Sequence, residues 1–249
     1  MEKRVAVVTG ASSGIGRAIA LRLASEGWFV HAVVRDVQKA KAALSECPAG
    51  SVDFIVLDVG DLDAYDTAFS KLQRVHAVIA SAGICKQAAL SDDFADDVWR
   101  ETMRINVDAV WRLFRTLHAR IPEGGRGIVI SSGLGKLGRP AYGAYAASKH
   151  AVLGLVKCFA RELAPRGITV NAICPGWVDT PMARGDLVKN ARTFGTTPDF
   201  EYQKACAGIP IGRFVQPEEV AALCAFLLSE QAAAITGEAC NISGGEFYA

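Results

Sequence analysis

No run of about 18 consecutive apolar residues occurs in the chain, so no segment reads as a membrane-spanning helix. The opening MEKRVAVVTG enters an apolar run too short for the core of a secretory signal, and a Gly-rich turn then stops it. Charge of one sign is also missing: 27 Lys and Arg face 26 Asp and Glu, a net charge of +1. That balance removes the electrostatic case for nucleic acid or an anionic membrane surface as a partner. The cysteines (Cys47, Cys85, Cys158, Cys174, Cys206, Cys224 and Cys240) are odd in number and contain no C-x-x-C pair. Neither a zinc framework nor a disulfide scaffold can be built from them, and no metal is expected; they read as reduced, mostly buried thiols of a cytoplasmic protein. There is no internal repeat, low-complexity tract or linker. With 249 residues, 51 % of them hydrophobic, the chain reads as a single domain over residues 1–249 with a substantial core.

Strands are expected at residues 5–9, 29–34, 51–57, 75–80, 127–131, 168–174 and 239–242, most as continuous apolar runs. Helical patterns lie between them: RAIALRLASEG after the first, DVQKAKAAL after the second, one beginning near Asp61, and a long one over residues 93–119. The last carries Trp99, Met103, Val107, Val110, Trp111, Phe114 and Leu117 as a broad apolar stripe. Asn106 interrupts it, and a polar amide there must be exposed or specifically bonded. Pro217 opens PEEVAALCAFLL with acids in its first turn. Residues 182–209 read as irregular or weakly helical, a candidate lid at the C-terminal end of a strand. Strands alternating with helices predict an α/β fold: a Rossmann-type, doubly wound parallel sheet of about seven strands with helices on both faces.

In that topology ligands bind outside the carboxyl ends of the strands, where the informative residues lie. Gly10, Gly14 and Gly16 follow the first strand with spacing G-x-x-x-G-x-G, and they precede a helix whose N-terminus favours phosphate. The second strand ends at Val34, then Arg35 and Asp36. An acid there would accept a ribose 2′-hydroxyl, whereas an Arg suits a 2′-phosphate. No carboxylate occupies the tip and a guanidinium adjoins it, so NADP(H) is favoured over NAD(H), although both residues could simply start the next helix. Asp58 would accept from an adenine amino group or cap the helix near Asp61. Gly83, in SAG, lets the backbone pass close to a ribose. At the fifth strand, IVISSGLGKLGRPAYGAYAASKH spans residues 128–150. Its Tyr145 and Lys149 stand four residues apart, on one face of a helix. A phenol titrates near ~10 alone, and a cation within roughly 4–6 Å favours its phenolate. The Ser132 hydroxyl could polarise a carbonyl oxygen beside them.

These motifs, in this order, resemble the short-chain dehydrogenase/reductase family over essentially the whole chain, with a layout like that of the 3-oxoacyl reductases. The matching residues are TGASSGIG from Thr9 to Gly16, Asp58, Asn106, Ser132, Tyr145, Lys149, Pro175 with Gly176, and Thr180. The family's N-N-A-G is here A-S-A-G, residues 80–83, which puts a strand-linking hydrogen bond in doubt. The resemblance implies a carbonyl/alcohol oxidoreductase in which Tyr145 is general acid or base and Ser132 holds the substrate oxygen. Lys149 would bind the nicotinamide ribose and lower the Tyr145 pKa, and Asn106, at a local distortion of its helix, would hold a proton-relaying water. Phosphates would sit over Ser12, Ser13, Gly14, Ile15 and Gly16, with Val59, Ala82 and Gly83 also against the cofactor. Val178 and Thr180 would orient the carboxamide. Leu134, Tyr142, Trp177 and Met182 are expected to line the substrate pocket. The family also implies a homotetramer or homodimer built on the two long helices.

The segment from Thr180 to Gly212 is longer than in oxoacyl reductases. Its aromatics (Phe194, Phe200, Tyr202) and bases (Arg184, Lys189, Arg192, Lys204) suit a bulky or acidic substrate, or a solvated loop with a few core anchors. An NAD-linked alcohol dehydrogenase using Asp36, and a catalytically silent nucleotide-binding protein, are the alternatives.

Overall fold

Why the strands form is visible in which faces they bury. The computed structural model describes residues 3–248, so residues 1, 2 and 249 of the expected domain lie outside the described part. Its strands are β1 (Val5–Thr9), β2 (Phe29–Val34), β3 (Val52–Val56), β4 (Ala77–Ala80), β5 (Arg126–Ile130), β6 (Thr169–Pro175) and β7 (Ala239–Ile242). They form one parallel sheet in the order β3-β2-β1-β4-β5-β6-β7. Side chains alternate between the two faces of a strand, and both faces of the inner strands are covered, which is why those strands read as nearly unbroken apolar runs, whereas the edge strands β3 and β7 are only partly buried. Val8, Val30, Ile128 and Ile173 pack on one face with Ile19, Leu23, Val220 and Leu227. Those helical residues come from α1 (Gly14–Ser25) and α9 (Pro217–Leu227). Val7, Val78, Val129 and Val170 pack on the other face with Leu113, Phe114, Val152 and Val156. These belong to α5 (Ala109–Leu117) and α6 (Gly143–Leu163). The chain reverses direction across the sheet between β1 and β4, so a crevice opens at their C-terminal ends.

Asn171, fully buried on β6, ties the approach to β7 into the sheet. Its Nδ2 donates to Ile235 O at 2.7 Å and its Oδ1 accepts from Glu238 N at 3.1 Å. Removing the amide takes the side-chain partner from two part-buried backbone groups, Ile235 O and Glu238 N, one or both of which water can reach. Asn171→Ala should therefore lower unfolding free energy by about 1–3 kcal/mol, read as a lower denaturant midpoint. An unchanged midpoint would mean the two backbone groups find other partners.

One helical expectation is refined and another needs correction. The helix expected over 93–119 starts and ends two residues inside those bounds and runs as α4 (Ala95–Met103) and α5, joined without a break by a π turn at Arg104–Asp108 that is the local distortion expected at Asn106. Residues 182–209 are not irregular: α7 (Pro181–Phe194) and α8 (Pro198–Ala207) fill most of the segment. Each starts on a Thr-Pro pair. Thr180 accepts from Ala183 N and Thr197 from Phe200 N, while the proline occupies the first helical position, where no N–H is needed. Gly195, at φ 65°, stops the first of them in the left-handed conformation. The apolar stripe of α4 and α5 also divides. Val110, Phe114 and Leu117 are buried, whereas Trp99 and Trp111 are about half exposed.

Candidate active site

Two cavities open side by side along the C-terminal edge of the sheet. The first, of about 240 Å³, is lined by Gly10, Ser12, Ser13, Gly14, Ile15, Gly16, Val34, Arg35, Asp58, Val59, Ala82 and Gly83. Its turn is closed tightly. Gly10 has φ 69°, and a Cβ there would lie 2.9 Å from Ala82 Cα; a Cβ on Gly16 would collide with Gly10 O. Ser13, at the N-cap of α1, makes no side-chain capping bond, and no acid stands in the first turn. The first N–H groups of that helix therefore face the cavity with neither a cap nor a nearby carboxylate, which suits a phosphate.

The strand link left in doubt by A-S-A-G is supplied by Thr9. Its Oγ1 accepts from both Ser81 N and Ala82 N at 3.0 Å, tying the ends of β1 and β4. Asp58 takes Gly60 N at 2.9 Å and so caps a turn; the helix expected near Asp61 starts only at Tyr65, with α3 (Tyr65–Ala68). At the tip of β2, Arg35 lines the cavity and Asp36 does not. The Asp36 carboxylate is the N-cap of α2 (Val37–Ala43), accepting from Lys39 N at 3.0 Å.

The second cavity, of about 230 Å³, brings together Ser132, Leu134, Tyr142, Tyr145, Lys149, Pro175, Gly176, Trp177, Val178, Thr180 and Met182. Ile15, Gly83, Thr180 and Met182 border both cavities. Ser132 caps a short 3₁₀ turn by accepting from Leu134 N at 3.1 Å, so its O–H remains free to donate. That hydroxyl stands close enough to the Tyr145 phenol to favour its ionised form, the direction opposite to burial. Lys149, buried, donates from Nζ to Ile130 O at 2.8 Å, and Nζ lies 5.6 Å from the centre of the Tyr145 ring. Burial pushes the lysine down to about 8 and the Tyr145 phenol well above its ordinary value. Burial outweighs the opposing influence of Ser132, so Tyr145 holds its proton at neutral pH.

Asn106 lines neither cavity. It stands behind Gly83, fully buried, with Oδ1 accepting from Ile84 N at 2.9 Å and Nδ2 donating to Ile84 O at 2.9 Å and Ser148 Oγ at 3.0 Å. Ser148 in turn donates to Tyr145 O at 2.7 Å. The π turn therefore braces both the glycine at the cavity junction and the helix that carries Tyr145.

Sequence reasoning missed several lining residues: Cys85, Arg139, Asp186, Glu246 and Phe247. Phe247 fills the space beside Gly133, where a Cβ would run into its ring, and Glu246 accepts from Trp177 N at 3.3 Å. Arg139 lies over the rings of Tyr142 and Trp177 and 4.0 Å from Glu246. The cysteines are free thiols, with Cys158 exposed. Cys85 is pushed up to about 12, chiefly by burial and then by the Asp186 charge, so it is a protonated thiol and no nucleophile. The expected bases of 182–209 do not line the cavity. Arg184 pairs with Asp179 at the surface, Lys189 with Asp186, and Lys204 lies over the Phe194 ring. Phe194 and Phe200 are exposed, and Tyr202 packs against Phe214. Only Met182, Ala183 and Asp186 of that segment reach the cavity wall.

Residues 10–246 match the family profile described as Enoyl-(Acyl carrier protein) reductase. A Streptomyces virginiae protein, named as a putative ketoacyl reductase of the monensin polyketide synthase, is 39 % identical over 253 residues, 97 % of this chain and 96 % of its own length. The 3-oxoacyl-[acyl-carrier-protein] reductase FabG of Thermotoga maritima is 34 % identical, covering 98 % of each chain. The chain belongs to the short-chain dehydrogenase/reductase family. Among solved structures of this family, a single-residue variant of the actinorhodin polyketide ketoreductase with NADPH superposes with a TM-score of 0.90 at 35 % identity, covering 98 % of this chain and 97 % of that one. As a short-chain dehydrogenase/reductase the protein is an oxidoreductase acting on CH–OH and C=O groups with NAD(P). No helix among its described residues is long and apolar enough to cross a membrane.

Proposed function

We propose that this short-chain dehydrogenase/reductase interconverts a small-molecule ketone and a secondary alcohol with NADP(H), with Tyr145 as general acid and base. The observation that carries the reading is the meeting of Ser132, Tyr145 and Lys149 in one cavity that shares a wall with the glycine-lined one. Ser132 and Tyr145 donate to the substrate oxygen together. Tyr145 gives up its proton as the oxygen becomes negative and takes it back in the reverse direction. A buried phenol that holds its proton is suited to being the acid. Lys149 keeps two ammonium protons beyond the one on Ile130 O, for ribose hydroxyls, and its charge favours the phenolate. The nicotinamide, when bound, supplies or accepts the hydride. Ser12 to Gly16 would hold its phosphates, Asp58, Val59, Ala82 and Gly83 the adenosine side, and Pro175, Gly176, Val178 and Thr180 the carboxamide. The Asn106 side chain is spent on Ile84 and Ser148, so it positions the Tyr145 helix, and a relaying water would use its main chain. Helices α7 and α8 form the lid over residues 182–209. The exposed Trp99 and Trp111 support a homotetramer or homodimer with α4, α5 and α6 at the interface.

NADP(H) rather than NAD(H) is supported by the two residues at the tip of β2. Asp36 is engaged as a helix cap, while Arg35 stands at the cavity wall, where a guanidinium suits a 2′-phosphate. The test is ketone-dependent oxidation of NADPH and of NADH by the purified enzyme. Arg35→Ala should raise KM for NADPH by about ten- to a hundredfold, the worth of a charge-assisted hydrogen bond, and leave KM for NADH near its starting value. Equal losses with both cofactors, or none with NADPH, would overturn the assignment.

A further inference from the structure

The lid helix α7 buries Ala183, Asp186, Leu187 and Ala191, the three- and four-residue spacing of an inward face. Three of the four are small or apolar, as packing asks. The fourth is a carboxylate only 5 % exposed, and it forms part of the wall of the substrate cavity. Burying a carboxylate is costly, and an apolar residue would serve a purely structural face better. Asp186 has Lys189 Nζ at 3.1 Å, reaching in from a side chain half exposed to solvent, and its charge also acts on the nearby Cys85 thiol. An ionised carboxylate offers about four acceptor sites, so these two neighbours leave acceptor capacity. The other charged pair on the wall differs. Arg139 and Glu246 face one another at 4.0 Å, and Glu246 also takes Trp177 N.

We propose that Asp186 determines substrate specificity: its carboxylate accepts a hydrogen bond from a hydroxyl carried by the carbonyl substrate, so the pocket prefers hydroxylated ketones and disfavours ketones bearing a carboxylate. The inference rests on the carbonyl-reductase reading and names the substrate class of that same pocket. It sets aside the acidic substrate offered as one alternative, because none of the lid bases lines the cavity, where Lys189 only pairs with Asp186 from outside, while an acid forms part of the wall. Tyr142 lies on the same wall, with its hydroxyl bonded to Gln87 Nε2 at 2.5 Å, so the lining that faces a substrate beyond Tyr145 is polar as well as apolar.

The experiment measures kcat/KM with NADPH for acetophenone, its hydroxyl-substituted isomers and a carboxyl-substituted isomer, in the wild type, Asp186→Asn and Asp186→Leu. The readout is the ratio of two substrates within one protein, which cancels any loss of folded enzyme. In the wild type the best hydroxylated isomer should exceed acetophenone by about tenfold or more, as a hydrogen bond to a charged acceptor gives, and the carboxylated compound should be poorest. Asp186→Leu should bring the hydroxyl ratio close to one. Asp186→Asn, which keeps an acceptor without the charge, should retain part of that ratio and relax the bias against the carboxylate. A wild type without the hydroxyl preference, or an Asp186→Leu variant that keeps it, overturns the inference alone. Failure to reduce any ketone by a wild type that binds NADPH overturns the carbonyl-reductase reading, and this inference with it.

Discussion

Replacing Tyr145 with Phe should lower kcat about a thousandfold, within the ~10²–10⁴ range of a positioned general acid, while NADPH binding followed by fluorescence titration stays intact. The ring remains and only the hydroxyl goes, so Gly143–Leu163 keeps its helix and the brace from Ser148 to the Tyr145 carbonyl, a main-chain bond, survives. What is lost is the proton donor at the substrate oxygen. Ser132 alone cannot substitute, because an aliphatic hydroxyl remains far less acidic than a phenol beside an ammonium. Cofactor binding and melting temperature separate this from a packing effect. Both should stay at wild-type values in the variant, whereas a repacked pocket would shift them. A variant with wild-type kcat would remove Tyr145 from the chemistry.

The second large effect is expected at Gly16. An added methyl would collide with Gly10 O, and would lie 2.8 Å from Gly10 C and 3.2 Å from Ser81 Oγ. Two of the three are backbone atoms, with no rotamer to relieve them, so Gly16→Ala must open the turn. Overpacking of this kind costs about 1–3 kcal/mol in stability. The larger consequence falls on the cofactor, since opening the turn swings the free N–H groups of the first helix away from where phosphates would sit. NADPH affinity, measured by titration, should fall at least about tenfold, accompanied by a lower melting temperature. A Gly16→Ala variant that binds NADPH as the wild type does would show that the turn has slack the geometry denies.

Most of the sheet was legible because parallel strands buried on both faces leave nearly unbroken apolar runs, and Val5–Thr9 and Phe29–Val34 fall where those runs do. Residues that follow strand ends, from Gly10 to Thr180, were legible for a related reason: the topology carries every strand end to one edge. Helices α7 and α8 were obscured by composition. Arg184, Lys189 and Arg192 break up any apolar period, and the helices are announced by their Thr-Pro starts rather than by a stripe. Asp186 and Glu246 were invisible for another reason. Nothing local distinguishes a solvated acid from one that faces a cavity; that depends on what packs against it from elsewhere in the chain. The capping role of Asp36 likewise rests on a hydrogen bond from Lys39 N that sequence spacing permits but does not require.

The short segment from Ser243 to Phe247, which seats its last ring against Gly133, also closes the second cavity with residues from both ends of the chain. The glycine-lined cavity draws its wall from Gly10 through Met182. The second cavity instead joins Ile15 to Phe247, so a chain cut before Ser243 would keep the whole wall of the first cavity and lose part of the second.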